Sequence, residues 1–308
     1  MTETVKKYDV IIIGGGPAGL TAGIYTSRAR LKTLLIEKAA IGGQAVNAWS
    51  IENYPGFREG INGVDLTQAM HEQATKFGVE TLYDEVAGIK VNGEQKTVKT
   101  NQGAFGAKAV IIAGGSERQK LGVPGEAEFT GKGVSYCATC DGAFFKDKTV
   151  AVVGGGNSAV TEALELTKFA SKIILIHRRN ELRATKIMQE KVMAEPKINI
   201  LWVTVVEEIK GDKFVNAIKL RNVNMGETTD MSIDGIFVSV GSQPATGYLK
   251  GVVQLDNVGA VIANDKLETN VPGIFAAGDI RSGSIRQVVG AAGDGAAAAV
   301  NAGKYISG

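Results

Sequence analysis

Residues 8–38 read YDVIIIGGGPAGLTAGIYTSRARLKTLLIEK and residues 148–178 read KTVAVVGGGNSAVTEALELTKFASKIILIHR, a gap-free self-match at an offset of 140 residues. Each copy passes from an apolar run through three glycines into a helix-periodic segment and a second apolar run. That pattern predicts strand, tight turn, helix and strand. Gly14 falls on Gly154, Gly16 on Gly156, Gly19 on Ala159 and Glu37 on His177. The first glycine of such a turn permits the sharp bend, and the second lets a pyrophosphate approach the backbone. The third position must be small so that helix and strand can pack. The helix that follows presents free N–H groups and its positive dipole end to the phosphates. Two dinucleotide loops are therefore expected, one over Gly14, Gly16, Pro17, Ala18 and Gly19, the other over Gly154, Gly156, Asn157, Ser158 and Ala159.

The ends of the second strands separate the ligands. Glu37 lies 18 residues beyond Gly19, where a carboxylate can accept hydrogen bonds from a ribose with free hydroxyls. The other copy has His177 there, followed by Arg178 and Arg179, with Arg183 beyond. A carboxylate would repel a 2'-phosphate, whereas guanidinium groups bind it with paired, charge-assisted hydrogen bonds. The first copy is thus expected to take an adenine dinucleotide without that phosphate, and the second NADP(H). A solvated basic face is the competing reading of the arginines.

Each unit closes alike, with AVIIAGGSE at 109–117 and GIFVSVGSQP at 235–244, where Gly241 ends the second closing strand. The second unit is expected at about 118–246 as an insertion. Residues 247–308 are too few for an ordinary separate domain, so GIFAAGDI at 273–280 and the alanine-rich helix after Gln287 are expected to complete the first unit. The expected fold class is α/β, with two Rossmann-like, three-layer dinucleotide-binding domains, the second inserted into the first at 1–117 and 247–308.

Composition agrees with a globular chain. It has 308 residues, is 44% hydrophobic and 21% charged, and carries a formal charge of +2, which does not favour nucleic acid or an acidic membrane as partner. Val10–Ser27 is uncharged, but its glycines and proline fit a strand, turn and short helix better than a membrane span. The start MTETVKKYDV lacks the features of a secretory signal, so a cytoplasmic protein is expected.

Both cysteines of the chain lie in VSYCATCDGAFF, as Cys137 and Cys140 at C-x-x-C spacing. Zinc would need two more ligands, and with His177 assigned elsewhere only His71 remains, so no metal site is expected. A redox disulfide is the favoured reading, with buried structural thiols and a metal site as its competitors. Hydride carries two electrons at once while a disulfide is reduced through thiolates, so a converter is required. A flavin can accept hydride and pass the pair on, which makes FAD the natural ligand of the first copy.

The order GGGPAG, GGQ at 42–44, CATCDG at 137–142, GGGNSA at 154–159, HRRNELRA at 177–184 and TNVPGIFAAGD at 269–279 resembles the low-molecular-weight, bacterial-type thioredoxin reductases over essentially the whole chain. The resemblance implies an FAD-containing, NADPH-dependent homodimer that reduces thioredoxin. It implies that Lys38, Gly43, Gln44, Asn53 and Gly278 join the flavin nucleotide site, that Asp279 binds the ribitol, and that Arg286, Gln287 and Val288 lie along the isoalloxazine. It implies further that Cys140 faces the flavin, that Cys137 attacks the protein substrate and that Asp141 serves as the acid, with a helix cap as the plain alternative for Asp141. One departure stands out: the family usually has Ala-Thr-Gly after the first closing strand, and this chain has Ala113, Gly114 and Gly115.

Two further readings share these residues: the same fold serving a glutaredoxin-like or peroxiredoxin partner, and a non-catalytic NADP-binding redox sensor. Because Cys140 precedes the strand starting near Lys148, the thiols are expected at the amino-terminal side of that sheet, opposite the nucleotide. The domains would then swing on connections near Glu117 and Gly247 to present nicotinamide and disulfide in turn.

Overall fold

The computed structural model describes residues 5–48 and 50–308, so the reading of the amino terminus falls partly on residues outside them. Two compact units divide the chain: residues 1–117 with 243–308, and residues 118–242.

The first unit opens with β1 (Lys6–Ile13), α1 (Pro17–Arg28) and β2 (Thr33–Glu37), followed by α2 (Gly63–Lys76), β3 (Glu80–Tyr83), β4 (Val86–Asn92), β5 (Gln95–Thr100), β6 (Gly103–Ile112) and β7 (Ser116–Arg118). Its sheet runs β3-β2-β1-β6-β5-β4. The pairs among β3, β2, β1 and β6 are parallel, while β4, β5 and the start of β6 form an antiparallel meander. β1 is apolar throughout its second half because both faces are covered. Val10 and Ile12 enter the core shared with Leu20 and Ile24 of α1, whereas Ile11 and Ile13 enter the opposite core with Val98 of the meander.

The second unit repeats the plan with β8 (Val134–Ser135), α3 (Ala138–Asp141), β9 (Thr149–Val153), α4 (Asn157–Leu166), β10 (Lys172–Ile176), α5 (Lys186–Ala194), β11 (Ile198–Leu201), a meander of β12 (Thr204–Gly211), β13 (Val215–Asn222) and β14 (Thr228–Ser232), and β15 (Gly235–Val238). Its parallel sheet has the order β11-β10-β9-β15-β8. Val150 and Val152 pack towards Ala163 and Leu166 of α4, and Ala151 and Val153 towards Ile218 and Leu220 of the meander. Each unit is therefore a helix layer, a parallel sheet and an antiparallel layer.

After β16 (Ser242–Pro244), which pairs with β7, the chain returns to the first unit. There β17 (Ile274–Ala276) adds to the carboxyl half of β6 in parallel, and α6 (Val288–Ser307) packs on α1. That approach is close: a Cβ on Gly295 would stand 2.1 Å from the carbonyl oxygen of Ala18.

The topology corrects one expectation. β8 runs parallel to β15, which is parallel to β9, so Cys137, two residues beyond β8, follows a carboxyl strand end. The cysteines begin the crossover from β8 to β9, and they do not enter the unit from the amino-terminal edge. Their position before β9 in sequence concealed this because β8 is only two residues long. The swing of the domains thereby loses its topological argument and is left with the resemblance alone.

Candidate active site

In the first unit, the turn after β1 is built for close backbone approach. Gly14 has φ +109°, and a Cβ there would stand 2.3 Å from the carbonyl oxygen of Ala113. A Cβ on Gly19 would stand 1.8 Å from the Gly14 carbonyl oxygen, which explains the need for a small third residue. Gly16 faces Gly43 across the turn, and Pro17 and Ala18 open α1. Glu37, at the end of β2, accepts the N–H of Gly15 at 2.6 Å and that of Ala39 at 2.9 Å. Lys38 pairs with Glu117. A cleft of about 280 Å³ opens here, lined by Gly14, Glu37, Lys38, Val86, Gly114 and Tyr248 among others.

Farther along the same unit, Asn53 donates from its side-chain amide to Gln287 at 2.8 Å, so two expected site residues from opposite ends of the chain meet. Gln287 immediately precedes α6, which Val288 opens, and Arg286 holds φ +55°. Gly278 donates its N–H to Asp294 at 3.0 Å. Asp279 accepts from Ser284 at 3.0 Å, and burial pushes its carboxyl above the ordinary aspartate range. Gln44 lies in the short turn Gly43–Asn47 before α2.

The second unit has the matching turn. Gly154 has φ +152°, and a Cβ there would stand 2.2 Å from the Ser239 carbonyl oxygen and 2.6 Å from Ala159. Gly156 has open space around it, and Asn157 and Ser158 begin α4. The loop after β10 is tied to this turn, because Arg183 and Ala184 both donate their N–H to the Gly155 carbonyl, at 2.6 and 3.1 Å. Asn157 accepts the N–H of Thr185 at 2.8 Å. Arg178, Arg179 and Arg183 are exposed. His177 is not: its ring is buried beneath Gly155, edge-on to Trp202. Burial, with the three arginines nearby, holds its imidazole below the ordinary histidine range. Gly241, at φ +125°, accepts the Gln119 N–H at its carbonyl at 2.9 Å.

Cys137 and Cys140 are joined in a disulfide. Cys137 is half-buried and caps α3, its sulfur accepting the Cys140 N–H at 3.1 Å, while Cys140 is exposed. Asp141 ends α3 and accepts the Ser135 hydroxyl at 2.6 Å. The cap of α3 is Cys137, and Asp141 stands at the N-cap of the short turn Gly142–Phe145 without a side-chain capping hydrogen bond. Ser135 also accepts the Cys137 N–H at 3.1 Å, so one hydroxyl holds both Asp141 and Cys137. The sequence reading missed Ser135, whose only signal is its place two residues before the motif. Between the cysteines, Thr139 donates to Glu165 of α4 at 2.9 Å, and burial raises that carboxyl.

The family model for pyridine nucleotide-disulphide oxidoreductases matches residues 8–295. A thioredoxin reductase of Peptoclostridium acidaminophilum is 47% identical over 305 residues, covering 97% of each chain. One of Bacillus subtilis (strain 168) is 48% identical over 302 residues, covering 98% of this chain and 95% of that one. Among solved structures, Lactococcus lactis thioredoxin reductase is similar with a TM-score of 0.95 at 46% identity, covering 97% of this chain and 99% of that one.

Proposed function

The chain belongs to the pyridine nucleotide-disulphide oxidoreductases as a thioredoxin reductase, and we propose a division of its residues between two nucleotide sites and one dithiol. It is an NADPH-dependent flavoprotein that reduces the disulfide of thioredoxin, and it binds FAD and NADPH. The observation that carries this reading is the Cys137–Cys140 disulfide, set in the same unit as a glycine turn to which the loop bearing three exposed arginines is tied through the backbone of Arg183 and Ala184.

The residues fit the two cofactors. In the first unit, residues 1–117 and 243–308, Gly14, Gly16, Pro17, Ala18 and Gly19 cradle the FAD pyrophosphate, a place where only glycine at Gly14 and Gly19 avoids collision. Glu37 and Lys38 hold the adenosine ribose, and Gly43, Gln44, Asn53, Gly278, Asp279, Arg286, Gln287 and Val288 hold the remainder. In the second unit Gly154, Gly156, Asn157, Ser158, Ala159 and Gly241 hold NADPH, and Arg178, Arg179 and Arg183 its 2'-phosphate. His177 shapes the turn from below. FAD, when bound, supplies the conversion of a hydride from NADPH into an electron pair for the disulfide.

The chain's own groups carry out the rest. Two electrons and two protons convert the Cys137–Cys140 disulfide to a dithiol. The Cys137 thiol passes its proton to Asp141, and the thiolate attacks one sulfur of the thioredoxin disulfide, forming a mixed disulfide and releasing the other thioredoxin sulfur as a thiolate. Asp141 protonates that leaving thiolate. Cys140 then attacks the Cys137 sulfur, its thiol proton passing to the second thioredoxin sulfur as that sulfur leaves, which restores the internal disulfide and frees dithiol thioredoxin. The N–H of Cys140 on the Cys137 sulfur favours the thiolate where the attack needs it.

Thioredoxin is the proposed partner, and the enzyme a cytoplasmic homodimer; among the described residues no helix is long and apolar enough to cross a membrane. Purified protein mixed with NADPH and oxidised thioredoxin should consume NADPH in proportion to the thioredoxin thiols formed. No consumption with any thioredoxin, or consumption without new thiols, would refute the assignment.

A further inference from the structure

Tyr248 stands in the short turn Gly247–Leu249, where the chain has just re-entered the first unit. Its ring packs against the core that contains Ile13, Ile112 and Ile280. Its hydroxyl is fully buried and has no hydrogen-bond partner. The oxygen lies over Gly114: a Cβ on that glycine would stand 3.3 Å from it and 3.3 Å from the Cδ1 of Ile280. Both Gly114 and Tyr248 line the cleft that also holds Gly14, Glu37 and Val86.

A phenol hydroxyl can donate and accept, and a buried one without a partner is rare because it forfeits its bonds to water. Burial also holds the Tyr248 phenol well above its ordinary pKa, so it remains a neutral O–H donor at physiological pH. Where the family usually carries a threonine, Gly114 has no side chain, and the tyrosine of a distant segment reaches the space which that side chain would occupy.

We propose that Tyr248 is a positioning residue for the adenosine half of FAD, its hydroxyl donating a hydrogen bond to that group, and that Gly114 is glycine to make room for it. This rests on the reading of the first unit as the FAD site. Gly114 and Tyr248 then act as a pair, supplying from another segment the hydroxyl that position 114 lacks.

The test is binding by protein stripped of flavin, with FAD and ADP as probes in the first unit and NADP+ as the control for the second. Tyr248→Phe keeps the ring and should weaken FAD and ADP by a similar factor of about tenfold, with NADP+ affinity unchanged. FAD affinity within twofold of wild type would overturn the proposal, as would a loss for FAD without one for ADP. Should Tyr248→Phe fail to fold by circular dichroism, Gly114→Ala decides. Its methyl would crowd the hydroxyl and should weaken FAD severalfold, and an unchanged affinity would overturn the pairing. If both variants fold, the double variant should lose no more than the worse single one, and additive losses would again refute the pair. Wild-type apoprotein that binds no FAD would instead overturn the FAD reading itself.

Discussion

The backbone nitrogen of Arg183 lies 2.6 Å from the carbonyl oxygen of Gly155, so the arginine-bearing loop is tied to the glycine turn of the second unit. Arg178, Arg179 and Arg183 are exposed around it, while His177 is buried beneath. In the proposed assignment these exposed arginines take the 2'-phosphate of a nucleotide held on the turn.

Cofactor choice should follow. Replacing both Arg178 and Arg179 by alanine should cut the preference for NADPH over NADH by roughly tenfold to hundredfold, as expected for lost charge-assisted hydrogen bonds. Most of the effect should appear in KM for NADPH, with NADH little altered. A ratio of kcat/KM values unchanged from wild type would place the phosphate clamp elsewhere.

The flavin released on denaturation should be FAD and not FMN, because the proposed site at the Gly14 turn and Glu37 takes an adenosine diphosphate that FMN lacks. Gly14→Ala should hold little or no flavin, since its Cβ would meet the Ala113 carbonyl oxygen at 2.3 Å in a backbone conformation that alanine rarely adopts. Chromatography of the denatured supernatant checks both, and FMN in the wild-type extract would sink the assignment.

The two cysteines should separate in a trapping experiment. Cys140→Ser retains the Cys137 sulfur but cannot resolve a mixed disulfide, so with a thioredoxin whose single remaining active-site cysteine is activated as a mixed disulfide with thionitrobenzoate, Cys137 should displace thionitrobenzoate and form a stable covalent adduct. Cys137→Ser should form none, and both variants should lose thioredoxin reduction. Adduct formation by Cys137→Ser alone would exchange the roles.

The fold class was legible because the strand, glycine turn and helix occur twice in register, and local backbone chemistry dictates that unit. The disulfide was legible for a related reason, since C-x-x-C spacing puts both sulfurs on one turn. What sequence did not reveal depends on contacts made at long range. Lys96 sits in QKTVKT, a stretch that reads as polar and exposed, yet it is fully buried. Its ammonium donates to the Tyr305 hydroxyl, 209 residues away, at 2.9 Å, and to the Glu94 carbonyl at 3.0 Å. The meander strands alternate charged and apolar residues weakly, so their third layer emerges only once the sheet beneath it exists. Tyr248 over Gly114 is of the same kind, a contact between segments 134 positions apart (248 − 114).

Glu162 supplies a last prediction, about pH. It lies on α4, paired with Arg118 at the start of the second unit, with one carboxylate oxygen buried and unpartnered. Burial outweighs the arginine and pushes its carboxyl up to about 7. The folded protein then binds a proton that the unfolded chain, near the ordinary value of 4.5, has released. Stability therefore falls as pH rises from about 4.5 to 7, and this contribution is fully unfavourable above that window. Glu162→Gln removes the titration, so denaturant midpoints measured between pH 4.5 and 7.5 should give a flatter profile than wild type, with the larger gain at the high end. A variant profile parallel to wild type across that range would show that Glu162 stays ionised in the folded protein.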